Sequence, residues 1–274
     1  MLEQLSVVLN FRVDLVNRKS MIPMNRIPFF LVMLFPFVHL YSGCAHAQQM
    51  DAAETELWEP VPPVVAPLPV HGEPPEDAII LFDGTSMDAW MRPDGQPPGW
   101  SIEDGMLVIN PGRGDIITRE QFGDIQLHLE WSIPVDVQGS GQGRGNSGIF
   151  LQSRYEVQVL DNWENPSYVN GMAGSIYKQH IPLANPARPP GEWQTYQIFY
   201  KAPVFDQNGQ VERPARITVL LNGVLIQNNV EIYGPTVWRG LPEYSPHQVD
   251  GIRLQNHSSG NRVRYRNIWV RRLD

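Results

Sequence analysis

Strict alternation of apolar and polar residues is the feature that most limits what this chain can fold into. IQLHLEWSI sets Ile125, Leu127, Leu129 and Trp131 against Gln126, His128 and Glu130, a period of two that fits a strand with one buried face. ARITVLLNGVLIQ reads as two further strands folded about Asn222-Gly223, the strongest short hairpin signal. Other turn pairs fall at Asp83-Gly84, Asp104-Gly105 and Asn208-Gly209. No stretch sustains the spacing of three and four residues that a core helix requires, and no internal repeat is evident. Many short antiparallel strands punctuated by glycine and proline imply an all-β fold, a jelly-roll sandwich of two antiparallel sheets. One sheet of such a sandwich is often concave and suits a large ligand.

The N-terminal quarter reads differently. Ile27 to Leu40, IPFFLVMLFPFVHL, follows Arg26 and precedes small residues, the layout of a secretory signal, and it is too short and proline-broken for a membrane span of roughly 20 apolar residues. Met1 to Ser20 carries Glu3 and Asp14 and does not resemble a signal start, so translation is expected to begin at Met21 or Met24. Ala45-His46-Ala47 supplies a cleavage site, whereas LYSGC, Leu40 to Cys44, resembles a lipoprotein box despite an ill-fitting Tyr41. Export to the periplasm or cell exterior follows either way, with membrane attachment only if Cys44 is lipidated. Cys44 is the only cysteine, so the mature domain has neither a disulfide nor a cysteine metal site. Residues 1–47 are thus read as a signal segment, 48–77 as a proline-rich linker and 78–274 as the folded domain. The linker is either a spacer or a strap across the domain surface.

A formal net charge of -8 argues against a nucleic-acid partner, whose phosphates demand a basic surface. The Arg-rich C-terminus places Arg262, Arg264 and Arg266 on one strand face, which reads as solvated. Gly143, Gly145 and Gly148 match G-x-G-x-x-G, but the strand-like IFLQ follows where a dinucleotide site needs a helix, so Gly139 to Gly148 reads as a flexible rim loop. YEVQVLD alternates as well, with Tyr155, Val157 and Val159 on one face and Glu156, Gln158 and Leu160 on the other. Trp131 and Trp269 fall on apolar strand faces, whereas Trp163 and Trp238 sit in loop-like surroundings suited to a ligand. No histidine pair has zinc-ligand spacing, and nothing in the sequence requires a cofactor. A calcium or other divalent site built from loop carbonyls would leave little trace, so metal stays open. Oligomeric state is not legible.

The blocks AIILFDGTSMDAW, NSGIFLQSRYEVQVLDNW, GSIYKQHIPLANPARPPGEWQTYQIFY, LNGVLIQNN and IRLQNHSSGNRVRYRNIWVRRL, in that order, resemble the 3-keto-disaccharide hydrolase domain family. The resemblance spans nearly everything from Ala78 onward. It implies a concanavalin A-like lectin/glucanase fold, a carbohydrate ligand, and a hydrolase acting on 3-keto-glucosides or 3-keto-disaccharides. The chain departs from the family at Ser258, where a glycine commonly follows the histidine. E-x-Q-x-x-D over Glu156, Gln158 and Asp161 is similar to the E-x-D-x-x-E strand of laminarinase-type glycosidases, in which a bulge brings the last residue onto the face of the first. A retaining glycosidase needs two carboxyl groups about 5 to 5.5 Å apart, and Gln158 in place of aspartate weakens that route.

The family's chemistry implies another use for the same face. A 3-keto group acidifies the hydrogen on carbon 2, so a base, an enolate stabiliser and an acid for the leaving oxygen suffice. Glu156 is the expected base, His257 the second choice or partner acid, and Lys178 the cation for the enolate; Asp161 completes the alternative carboxyl pair. Asn146, Arg154, Gln158, Tyr177, His180, Gln255 and Arg266 are the expected sugar contacts. A non-catalytic carbohydrate-binding module of the same fold is the other reading. Catalysis requires Glu156, Lys178 and His257 to converge in one cleft, whereas a binding face tolerates them scattered.

Overall fold

Alternating segments become strands because each buries one row of side chains and leaves the other outward. The computed structural model describes residues 51–64 and 73–274. The signal segment with Met21, Met24 and Cys44, and residues 48–50 and 65–72 of the linker, lie outside the described residues. The strands, in chain order, are β1 (Ile79–Phe82), β2 (Trp90–Met91), β3 (Ser101–Glu103), β4 (Met106–Val108), β5 (Ile116–Thr118), β6 (Ile125–Ser132), β7 (Ser147–Leu151) and β8 (Tyr155–Val159). They continue with β9 (Trp193–Lys201), β10 (Val204–Phe205), β11 (Val211–Arg213), β12 (Arg216–Leu221), β13 (Val224–Glu231), β14 (Arg253–Leu254) and β15 (Arg264–Arg272).

An eight-stranded sheet runs β13-β12-β9-β6-β15-β4-β3 with β1 also on β15, and a five-stranded sheet runs β2-β5-β14-β7-β8. Strand pairs within both sheets are antiparallel. Their inner faces share one core. The large sheet supplies Leu127, Leu129, Tyr196, Ile198 and Val219, and the small sheet Ile116, Ile149, Leu151, Val157 and Leu254. The architecture is therefore an all-β, antiparallel two-sheet sandwich, consistent with a jelly roll. Asn222 and Gly223 take positive φ values of 51° and 78° between β12 and β13, as the two-residue hairpin requires.

Three local readings change. Gly148 lies inside β7, not in a rim loop. Asn267 has φ 47° and the β15–β6 register shifts between Arg266 and Trp269, so Ile268 and Val270 turn into the core. Trp269 instead stacks on His128, centroids 5.0 Å apart. Leu160 leaves the alternation of β8 and joins the core, because the strand ends at Val159.

The linker residues 51–64 follow the domain surface as a strap. Asn170, itself buried, accepts from Leu57 N at 2.9 Å and donates to Thr55 O at 2.9 Å, while Asn185 N donates to Pro63 O.

Candidate active site

On the outer face of the small sheet, register aligns side chains in rows. Arg253 opposes Phe150, and Phe150 opposes Glu156, so these three cross β14, β7 and β8 side by side. The next row runs Gln255, Gly148 and Gln158, tied by Gln255 N donating to Gly148 O at 2.9 Å. A cleft of about 520 Å³ stands over these rows. Gln142 and Asn146 close one end before β7, His257 and Ser258 follow β14, and Tyr168, Tyr177, Thr236 and Trp238 form the far wall. That wall exists because β8 is an edge strand whose backbone needs partners. Gly174 N donates to Gln158 O, Gln158 N to Ser175 O, Tyr177 N to Glu156 O, and Glu156 N to Thr236 Oγ1.

Glu156 is 4% exposed, and among the described residues it has no ion-pair partner. Burial pushes its pKa up to about 8; the Arg253 charge pulls the other way, and Asp115 adds to the rise. Arg253 is itself bonded to Asp115 and lies over the Phe150 ring, 3.7 Å from its centroid. The Gln158 amide serves either state of the carboxyl. In one orientation its nitrogen donates to Gln142 Oε1 at 3.1 Å and its oxygen faces Glu156 Oε1 and Ser147 O, a placement that only a protonated Glu156 could satisfy. Turned over, it donates to Glu156 Oε1 at 3.0 Å and Ser147 O at 3.1 Å, which suits the carboxylate. Gly148 makes room for this carboxyl, since a Cβ there would sit 2.3 Å from Glu156 Oε1.

Ser259 N donates to His257 Nδ1 at 3.2 Å, so the neutral ring carries its proton on Nε2. Burial lowers the pKa of that ring, which favours the neutral form. His257 is thereby set as a hydrogen-bond donor.

Of the expected site residues, Glu156, Gln158, Asn146, Tyr177, Gln255 and His257 line the cleft, and so does Trp238. The others lie elsewhere. Lys178 Nζ donates to Ala52 O at 2.6 Å and Trp238 O at 3.0 Å, outside the lining, and so ties strap to wall. His180 Nε2 bonds Glu231 O and its ring packs on Tyr233. Arg154 pairs with Asp250 beyond the hairpin. Asp161 is buried in an ion pair with Arg144, Nε to Oδ2 2.7 Å; the β7–β8 register is regular and no bulge turns it toward Glu156.

Arg266 lies on the other sheet, paired with Glu130 at 2.7 Å and 4.0 Å from the Trp193 ring centroid. That sheet has its own cleft of about 750 Å³. Burial opposes ionisation of Glu130 there, but the neighbouring His128 and the hydrogen bonds from Asn267 and Arg266 outweigh it and hold the pKa at about 2. A carboxylate so committed is a poor base, which distinguishes this cleft from that of Glu156. Among the described residues no three histidine, cysteine, aspartate or glutamate side chains gather to hold a metal. Sequence reasoning missed Arg253, Gln142 and Tyr168. Arg253 and Gln255 share strand parity in IRLQN, a signal that was available.

The fold and the cleft define an antiparallel sandwich with a polar, aromatic-walled site on its smaller sheet, a surface suited to a sugar. Residues 77–271 match the model of the 3-keto-alpha-glucoside-1,2-lyase-like domain, and the chain belongs to that family. A proposed glycosyl hydrolase from Parabacteroides distasonis ATCC 8503 is 46% identical, with 85% of this chain and 98% of that chain covered and a TM-score of 0.73. Another proposed glycosyl hydrolase from that strain is 23% identical over 73% of this chain and 95% of its own, TM-score 0.54, and shares the fold. Comparison with curated proteins finds no match. Family and relatives point to glycoside hydrolase activity on a carbohydrate substrate.

Proposed function

We propose that the chain cleaves the bond between carbon 1 and the aglycone oxygen of 3-keto-glucosides or 3-keto-disaccharides by elimination, followed by water addition. The observation that carries this reading is that Glu156 is the one carboxyl among the described residues lining the cleft. Two-carboxylate retention lacks its second member there, because Asp161 is committed to Arg144. Glu156 takes the proton from carbon 2, and a pKa of about 8 makes it a stronger base than an ordinary carboxylate. The electron pair released passes to the 3-keto oxygen, where the Arg253 guanidinium and His257 Nε2–H stabilise the enolate. Collapse of the enolate expels the oxygen on carbon 1. Arg253 thus takes the role that sequence reasoning gave to Lys178. Gln255 Oε1, buried with no hydrogen-bond partner among the described residues, offers an acceptor for a sugar hydroxyl. The signal-like run before the domain supports placing this activity in the periplasm or at the cell exterior.

The test is turnover of matched glucosides and 3-keto-glucosides, with and without chelator. The wild-type protein is expected to release aglycone only from the oxidised set. Glu156→Gln is expected to slow that release by about 10²-fold or more. Comparable turnover of unoxidised glucosides, or a Gln variant of full activity, overturns the proposal.

A further inference from the structure

We propose that Tyr177 is the acid that protonates the departing glycosidic oxygen, with Tyr168 and Lys178 supporting the phenolate it becomes. The inference rests on the assignment of Glu156 as base and extends it to the leaving group. Tyr177 is placed by the same strand as the base, its N–H donating to Glu156 O at 3.3 Å. Both tyrosines line the cleft, and their hydroxyls are 2.6 Å apart. Two hydroxyls joined by one hydrogen bond use one proton between them and leave the other to donate outward. Either hydroxyl can donate in that bond; we assign the donation to the buried Tyr168, which leaves the half-buried Tyr177 to present its proton to the cleft.

Lys178 completes the device. Its Nζ is 5.6 Å from the Tyr168 ring centroid and 5.9 Å from that of Tyr177. Two carbonyls, Ala52 O and Trp238 O, fix it there. Lys178 also has φ 59°, the left-handed region that a non-glycine residue enters only at a cost. The clamp on its ammonium holds that turn directly after Tyr177. Burial raises the pKa of both phenols, which keeps them protonated as donors at neutral pH. A phenol is also closer in acidity to a sugar hydroxyl than a carboxylic acid is, so it can give its proton as the carbon–oxygen bond breaks.

The step balances. Glu156 gains the carbon 2 proton, the bond from carbon 1 to oxygen breaks, and the oxygen takes the Tyr177 proton. The phenolate accepts a hydrogen bond from Tyr168, with the Lys178 ammonium 5.9 Å from its ring centroid. Return of a proton to Tyr177 and its loss from Glu156 restore the site, so the net transfer is from carbon 2 to the leaving oxygen.

The experiment compares a methyl 3-keto-glucoside, whose leaving group needs a proton, with a 4-nitrophenyl 3-keto-glucoside, whose leaving group does not. Tyr177→Phe is expected to lose about 10²-fold or more in kcat/KM on the methyl compound and under about fivefold on the nitrophenyl one. Lys178→Met should show the same selectivity, more weakly, with circular dichroism confirming the fold of both variants. Equal losses on both compounds, or no loss, overturn the acid assignment while leaving Glu156 in place if Glu156→Gln slows both. A wild-type protein that leaves both compounds intact overturns the 3-keto reading and this inference together.

Discussion

Glu156 and Glu130 show how one residue type is set to opposite ends of its range by its neighbours. Glu130 is held at about 2 by donors that overcome its burial, and Glu156 is pushed up to about 8 by burial that Arg253 only partly offsets. Since the proposed base must be ionised, kcat/KM for a 3-keto-glucoside is expected to rise with pH along a limb centred near 8, and a pH profile checks this. A flat profile between about pH 6 and pH 9 would remove Glu156 from that role. The raised proton affinity of Glu156 also bears on stability with a definite sign. Between 4.5 and about 8 the folded protein holds the Glu156 proton while the unfolded chain has lost it, so stability falls as pH rises through that window. Every tenfold difference in proton affinity between folded and unfolded chain corresponds to about 1.4 kcal/mol. Glu156→Gln removes the titration, and its melting temperature should overtake that of the wild-type protein as pH rises from about 5 to about 9.

The β7–β8 hairpin turns that carboxyl into a site, and Gly148 is its narrowest point. Gly148 has an ordinary strand conformation, so its role is space: an added Cβ would meet Glu156 Oε1 at 2.3 Å and Phe150 Cε2 at 2.9 Å. Both obstacles are side-chain ends, and the sheet can persist while they move aside. Gly148→Ala is expected to cut kcat/KM by about 10-fold or more, through loss of near-attack geometry, while melting falls only a few degrees. Full activity would show that the carboxyl has freedom to spare. Gly148 was legible as a glycine and illegible as a cause, because G-x-G-x-x-G spacing says nothing about which strand lies opposite. Strand parity carried the fold further. It assigned the faces of β6 and β8 correctly up to Val159 and failed at Leu160, where the strand ends; Trp269 is buried as expected, but against His128, because the bulge at Asn267 resets the count. Lys178, Arg154 and Arg266 were chosen as charges near plausible blocks. Their partners, Ala52 O, Asp250 and Glu130, come from segments that local sequence does not bring together.

Across the molecule, the two outer sheet faces carry different clefts, and the strap is bound up with one of them. Residues 51–64 read from sequence as either spacer or strap, and they dock where the cleft wall is built. Asn170 gives both ends of its amide to the strap, Val169 N donates to Leu57 O at 2.6 Å, and Trp58 meets the edge of Tyr168 at 6.3 Å between centroids. Tyr168 in turn holds Tyr177, so the segment ahead of the domain braces the tyrosine pair from behind. Asn170→Ala leaves Leu57 N and Thr55 O without these bonds. Water reaches part of this seam, so the cost is expected near the low end for lost hydrogen bonds, about 1–2 kcal/mol, and a few degrees in Tm. The loss should be local first, because the sandwich core does not depend on the strap. Limited proteolysis should therefore cut the variant within 51–64 well before the wild-type protein, and turnover of a 3-keto-glucoside should show a raised KM with kcat less affected. Equal protease resistance in the two proteins would show that the strap is held by its other contacts and that Asn170 is dispensable to the wall.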